Sequence, residues 1–170
     1  RLNRLFRDIL DMARIEAAAV PLGREWVTPA DIIDAACANL RPELEGREVV
    51  VEAIDDTAVL VDPRLTSAAL THLLAVTQGR GHRCAPAVSP IVVQGHVDST
   101  SLLLAVRDWG PGLDAKDLAH VFERFYRGTH AGRSVPGSGM GLAISRGLLA
   151  AEGGRVWAAN MPDSGARFSI

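Results

Sequence analysis

Gly137-Ser138-Gly139-Met140-Gly141-Leu142 is the stretch on which the reading of this chain turns. Its glycines alternate at the mouth of an apolar helix pattern that continues through Ile144, Leu148 and Ala151. Glycine leaves the backbone unshielded and free to take positive φ. A helix N-terminus presents unpaired N–H groups and a partial positive charge. Together they predict a cradle for phosphate. Taken alone, the spacing fits equally a flexible loop that precedes a helix, so the flanking sequence has to decide.

Upstream, Ile91 to Val97 alternates, with Ile91, Val93 and Val97 on one face and Val92, Gln94 and His96 on the other. Asp98 to Ser101 is a predicted turn, after which Leu102, Leu104 and Val106 share a face. The same alternation carries Asp108 to the end of a face that should point into the core. A buried charge needs a partner. Trp109-Gly110-Pro111-Gly112 follows at once, and its glycines let a flat ligand or a backbone approach closely. An inward carboxylate there can accept a hydrogen bond from a ring amine. The alternative is an Asp that caps the next helix.

Downstream, Gly154 to Ala159 reads as a strand, Asp163-Ser164-Gly165 as a turn, and Ala166, Phe168 and Ile170 as the inner face of a last strand. Nearer the start, Arg24 to Val27, Glu48 to Ile54 and Ala58 to Val61 are further strands. Thr28-Pro29 and Asp62-Pro63 are cap-and-start pairs. The first opens a helix carrying Ile32, Ile33, Ala36, Cys37 and Leu40; the second opens one carrying Leu65, Ala69, Leu70, Leu73 and Leu74. The second helix is expected to end near Thr77, because Gln78 to Cys84 is aperiodic and holds Gly79 and Gly81. Strands joined by tight turns, with helices between, predict an α+β two-layer sandwich: a mixed, mostly antiparallel sheet with helices on one face.

Arg1 to Ala17 reads as a separate helix. Leu2, Leu5, Ile9 and Met12 form a narrow apolar seam, and Arg4, Arg7, Asp8, Asp11 and Arg14 fill the other faces. Such a stripe favours a partner helix over packing on its own domain. The expected division is residues 1–17 as this helix, 18–23 as a linker and 24–170 as the main domain. The chain opens in mid-helix pattern and stops inside a strand pattern, as a piece of a longer protein would.

The totals of 170 residues, 48% hydrophobic and 22% charged, with a formal net charge of -2, are ordinary for a globular domain. No basic excess points to nucleic acid, no apolar run reaches the ~18 residues of a membrane span, and no secretory signal opens the chain. Cys37 and Cys84 have no metal-ligand spacing and fit a reduced, cytoplasmic setting.

Asp108-Trp109-Gly110-Pro111-Gly112 resembles the first glycine box of sensor histidine kinases, Phe122-Glu123-Arg124-Phe125-Tyr126-Arg127 their phenylalanine box, and Gly137-Ser138-Gly139-Met140-Gly141-Leu142 their second glycine box. The three occur in the family's order. Arg1 to Glu16 resembles the second helix of the family's dimerisation hairpin. The likeness covers essentially the whole chain and is strongest to the potassium-responsive type. It implies the histidine-kinase and gyrase-type ATPase fold. It also implies that ATP is bound with Mg2+, and that its γ-phosphoryl group goes to a histidine outside this chain. A homodimer through the hairpin, a response regulator as partner, and membrane attachment through segments absent here follow from the same likeness.

By residue, the resemblance makes Asp108 the acceptor of the adenine amine, with Gly110 and Gly112 shaping the pocket beside the base. Phe122 to about Pro136 would be a lid, with Phe122 and Phe125 anchoring its base and Arg124 within it. Arg127 is a candidate phosphate contact. Gly137, Ser138, Gly139, Met140, Gly141 and Leu142 would form the phosphate loop. Gly128, Gly132, Ser134, Pro136 and Gly137 suit a mobile lid.

The family's asparagine box is altered. His72 and Val76 stand where it has Asn, and no Asn occurs between Asn39 and Asn160. Valine has no atom to offer magnesium, so the metal site is in doubt. His72, His82, His96, His120 and His130 do not lie where the phosphoacceptor would. An alternative reading follows, a degenerate nucleotide-binding or regulatory module without phosphotransfer. A gyrase-type ATPase or a serine kinase on the same fold is a third reading, which the N-terminal seam argues against.

Overall fold

In the computed structural model of the chain, residues 2–16, 21–41, 44, 47–81, 89–99, 101–128 and 138–170 are described, apart from the side chains of 2–5, 7, 16 and 79–81. The elements are α1 (Leu2–Glu16), β1 (Glu25–Val27), α2 (Pro29–Leu40), β2 (Val49–Ile54), β3 (Val59–Val61), α3 (Pro63–Gly81), β4 (Ile91–Val97), β5 (Leu102–Arg107), α4 (Ala115–Leu118), α5 (Gly141–Glu152), β6 (Trp157–Asn160) and β7 (Ala166–Ser169). Five strands form one sheet in the order β2-β4-β5-β7-β6. β2 and β4 run parallel and the other neighbours antiparallel. The α+β sandwich expected from alternation is therefore the one observed. Among the described residues no helix is long and apolar enough to cross a membrane.

The alternation of the strands builds the core directly. Val93, Val106 and Phe168 are register partners across β4, β5 and β7, and each is fully buried. They pack against Ile32, Ile33 and Ala36 of α2, Leu70, Leu73 and Leu74 of α3, and Leu149 of α5. Each large side chain so buried contributes about 1.5–3 kcal/mol. Among the described residues, no helix packs on the opposite face of the sheet.

Both predicted caps form. Thr28 Oγ1 accepts from the Asp31 N–H at 3.3 Å, and Asp31 Oδ2 accepts from the Thr28 N–H at 2.9 Å. Asp62 is fully buried and accepts from the Gly23 N–H at 2.7 Å and from Arg64 Nη2 at 2.8 Å. Burial alone would raise its pKa, but the hydrogen bonds from Arg64, Gly23 and Leu65 outweigh it and hold the carboxyl below its ordinary value.

Four expectations are corrected. α3 does not end near Thr77 but continues to Gly81. The reason is Arg47, buried beneath it, which donates through Nη1 to the carbonyls of Thr77 and Gln78, both at 3.0 Å. A guanidinium thus satisfies helix carbonyls near the C-terminal end. Gln78 to Gly81 is accordingly helical, and the rest of the segment expected to be mobile lies outside the described residues.

β1 and β3 do not join the main sheet; they pair with each other as an antiparallel ribbon. β6 starts at Trp157, not Gly154, because Gly153 (φ 88°) and Gly154 complete the C-terminal turn of α5, with the Gly154 N–H donating to Leu149 O at 2.8 Å.

The seam of α1 is split. Met12 and Ile15 pack against Leu65, Met140, Ile144 and Leu148, while Phe6, Ile9 and Leu10 are exposed. Gly147 makes room for this, since a Cβ there would meet Ile15 Cγ2 at 2.6 Å. The side chains of Leu2 and Leu5 lie outside the described residues. So does part of the 18–23 linker.

Candidate functional site

Asp108 sits one residue past β5 and is fully buried. Its Oδ1 accepts from the Gly110 N–H at 2.9 Å and the Ala166 N–H at 3.1 Å. The Asp108 carboxylate thus shapes its own glycine turn and ties it to β7. This disposes of the helix-cap alternative: the next helix, α4, starts after Asp114. Gly112 has φ +79°, and a Cβ on it would lie 2.9 Å from Asn160 Oδ1. Asn160 clips the loop from the far edge strand, accepting from the Leu113 N–H at 2.7 Å and donating to the Leu113 carbonyl at 2.8 Å. A Cβ on Gly165 would collide with the carbonyl of Asp108.

Arg47 also belongs here. Its Nε donates to Ser89 O at 3.0 Å, and its Nη2 is buried without a hydrogen-bond partner among the described residues. Burial lowers its pKa and the charge of Asp108 works against that fall.

The phosphate-loop residues gather at the N-terminus of α5, where no side chain caps the helix. Gly139 has φ +73°, and a Cβ on it would meet the backbone of Phe125 at 2.9 to 3.1 Å. Gly141 faces His72, whose Nδ1 would lie 3.4 Å from an added Cβ. The backbone of Met140 and Leu142 belongs to this turn while their side chains are buried. Ser138 Oγ accepts from the Met140 N–H at 3.2 Å and donates to Asp8 Oδ2 of α1 at 2.9 Å. Gly137 lies outside the described residues.

His72 at the glycine turn and Thr77 at Arg47 are five positions apart on α3, about 7.5 Å along the axis. Val76 lies between them and is half-buried against the core. Among the described residues no group of three or more His, Cys, Asp or Glu could hold a metal ion. With an apolar side chain at 76, these residues do not fit a protein-held magnesium.

At the base of the expected lid, Phe122 packs against the core, while Phe125 is 68% exposed with φ +59° and its backbone lies against Gly139. The tether is Tyr126 instead, which donates to the buried Asp117 Oδ1 at 2.8 Å. That bond to Asp117 is the main reason the Tyr126 pKa is raised. Arg124 and Arg127 are exposed. Residues 129–137 lie outside the described residues.

Arg47, Asn160, Asp117 and Asp8 escaped the sequence reading. Each acts through a partner at least nine positions away, which local periodicity does not register.

Residues 64–170 match the family described as histidine kinase-, DNA gyrase B-, and HSP90-like ATPase. The sensor protein KdpD of Escherichia coli (strain K12) is 34% identical over 168 residues, which are 99% of this chain and 18% of that protein. The sensor histidine kinase component HK1 of Mycobacterium tuberculosis (strain ATCC 25618 / H37Rv) is 36% identical over 127 residues, 74% of this chain and 70% of that protein. The structure of the Acinetobacter baumannii histidine kinase AdeS superposes with a TM-score of 0.78 at 20% identity, over 99% of this chain and 76% of that one. Against KdpD, this chain spans less than a fifth of the relative's length.

Proposed function

The chain belongs to the histidine kinase-, DNA gyrase B-, and HSP90-like ATPase family, within the sensor histidine kinases, and on that premise we propose that it holds ATP for transfer of the γ-phosphoryl group to a histidine carried elsewhere. The observation that carries this is the buried carboxylate of Asp108, which accepts from the Gly110 N–H inside the turn that ends at Gly112. Asp108 would accept the exocyclic amine of adenine. The α5 N-terminus would take the phosphates, because its N–H groups and dipole favour anions. The lid root at Tyr126 and Asp117 would fix where the lid swings. In the transfer, an acceptor imidazole nitrogen forms a bond to the γ-phosphorus as the bond to the bridging oxygen breaks, and ADP departs with that electron pair. The chain's part is positioning and screening of charge.

The full protein would dimerise through a helical hairpin whose end is α1, residues 1–17, joined by 18–23 to the nucleotide domain of 24–170. It would pass the phosphoryl group to a response regulator, and would be a cytoplasmic portion of a membrane-attached receptor. Magnesium would have to arrive on the ATP phosphates, with Val76 adding no ligand.

Val76 also favours a second reading, a nucleotide-responsive module with little phosphotransfer. Calorimetric titration with ATP, with and without magnesium, tests the first step. Measurable binding with little dependence on magnesium is expected, and no heat of binding under either condition would overturn the proposal. A radiolabelled transfer assay to a dimerisation hairpin supplied in trans separates the two readings.

A further inference from the structure

We propose that the helix-free face of the sheet is a docking groove for a short, extended acidic segment of a partner protein. Arg167 and Gln94 would be its polar contacts and Trp157 and Leu103 its exposed apolar ones, over a floor of buried Ala105 and Ser169. A shallow depression of about 400 Å³ lies there, lined by all six. It is on the opposite side of the sheet from α3 and α5, so it is separate from the nucleotide site.

The register defines its shape. Gln94 pairs with Ala105, Ala105 with Ser169, and Ser169 with Trp157, which makes one row across four strands. Three interstrand gaps of ~4.8 Å give a row of about 14 Å. An extended segment of about four residues has that length.

Arg167 supplies the charge argument. Arg107 and Arg167 are register partners, placing like charges directly opposite each other, which is unfavourable in a sheet. Arg107 is balanced: its Nη2 is 2.7 Å from Asp163 Oδ2, and its guanidinium lies 3.8 Å from the centre of the Trp109 ring. The Arg167 side chain has no hydrogen bond or ion pair among the described residues, and its Nε is buried without a partner among them. The side chains of Gln94 and Ser169 likewise make no hydrogen bond among the described residues. The acid that lines the groove, Asp55, is already engaged, accepting from the Val97 N–H at 2.7 Å and lying 2.8 Å from His96 Nδ1. Glu52 stands at the β2 end of the row, beside Gln94. The unbalanced cation therefore sits at the Trp157 side, where a carboxylate is favoured, with Glu52 repelling one at the other end.

The floor supplies the rest. Trp157 is 44% exposed and Leu103 38% exposed. Trp and Arg are both enriched in binding hot spots. A single unbalanced cation is too little for nucleic acid, which is held through a set of phosphate contacts.

The test is two-dimensional NMR of the 15N-labelled chain titrated with the blocked tetrapeptide Asp-Leu-Glu-Phe. Its uncharged analogue Asn-Leu-Gln-Phe and free phenylacetate are the comparison probes. Saturable shifts at Gln94, Ala105, Trp157 and Ser169 are expected for the acidic peptide. The analogue should bind on the order of tenfold more weakly or worse, because a charge-assisted hydrogen bond is lost. Arg167→Gln should weaken the acidic peptide similarly while its ADP-induced shifts stay as in the parent. Trp157→Ala, at an exposed edge position, serves if Arg167→Gln fails to fold. Equal binding of the two peptides, no shifts on this face, or a parent affinity retained in Arg167→Gln would overturn the proposal. Phenylacetate binding as tightly as the peptide would make this a small-molecule site and overturn it too.

Discussion

Asp108 and Gly139 show how single positions tie the fold to the chemistry. Asp108 is tolerated in the core because two backbone N–H groups converge on one of its oxygens, which offsets the cost of burying a carboxylate. Gly139 is fixed more tightly than Gly141. It combines φ +73° with backbone from Phe125 where a Cβ would go, whereas Gly141 meets an imidazole at ordinary contact distance. Gly139→Val should therefore abolish ATP binding measured by calorimetry, with circular dichroism still native, while Gly141→Ala binds ATP within a few-fold of the parent. Normal ATP binding by folded Gly139→Val would place the phosphates elsewhere.

Asp62 gives a residue-level prediction in pH. Its folded pKa lies below its unfolded value of about 3.8, so its stabilising share is complete above that value and is lost as pH falls through the folded pKa. The difference in urea midpoint between the parent and Asp62→Asn should be large at neutral pH and shrink below about pH 4. A difference that grows on acidification would contradict the assignment.

Elements show which parts of the fold were legible in the sequence and which were not. The strand faces were readable because alternation is local, and the cap at Thr28 because its partner Asp31 is three positions on. The end of α3 was not, since Arg47 reaches it from 30 positions away. Gly79 and Gly81 mark where a helix would stop if nothing held its carbonyls. The glycine turn at Asp108 was legible, but its brace, Asn160, lies 47 positions from Leu113. α1 was half legible. Its apolar content was plain, but its division between Met12 and Ile15 facing inward and Ile9 outward depends on the space left by Gly147. Removing residues 1–17 should cost about 1–3 kcal/mol in a denaturant titration, since both inward side chains are only half-buried. It should leave ADP affinity within a few-fold of the parent. Loss of the folded state would mean that α1 belongs to the domain core.

At the scale of the molecule, the sheet and the helices α2, α3 and α5 share one core, and the glycine turns after Asp108 and before α5 are the proposed working parts. The altered asparagine box changes the expected output more than the expected binding, because Val76 leaves the packing intact and removes a polar atom. Transfer to a hairpin supplied in trans should be slow, and Val76→Asn alone should not restore it fully. Robust labelling by the unaltered chain would exclude the degenerate reading. The central claim is that the buried carboxylate of Asp108 reads adenine. Its most direct test is calorimetric titration of ADP into the parent chain and into Asp108→Asn, with fold checked by circular dichroism. Loss of a hydrogen bond to a charged acceptor, about 1.5–3 kcal/mol, predicts affinity lower by about tenfold or more in the folded variant, and unchanged affinity would contradict the account.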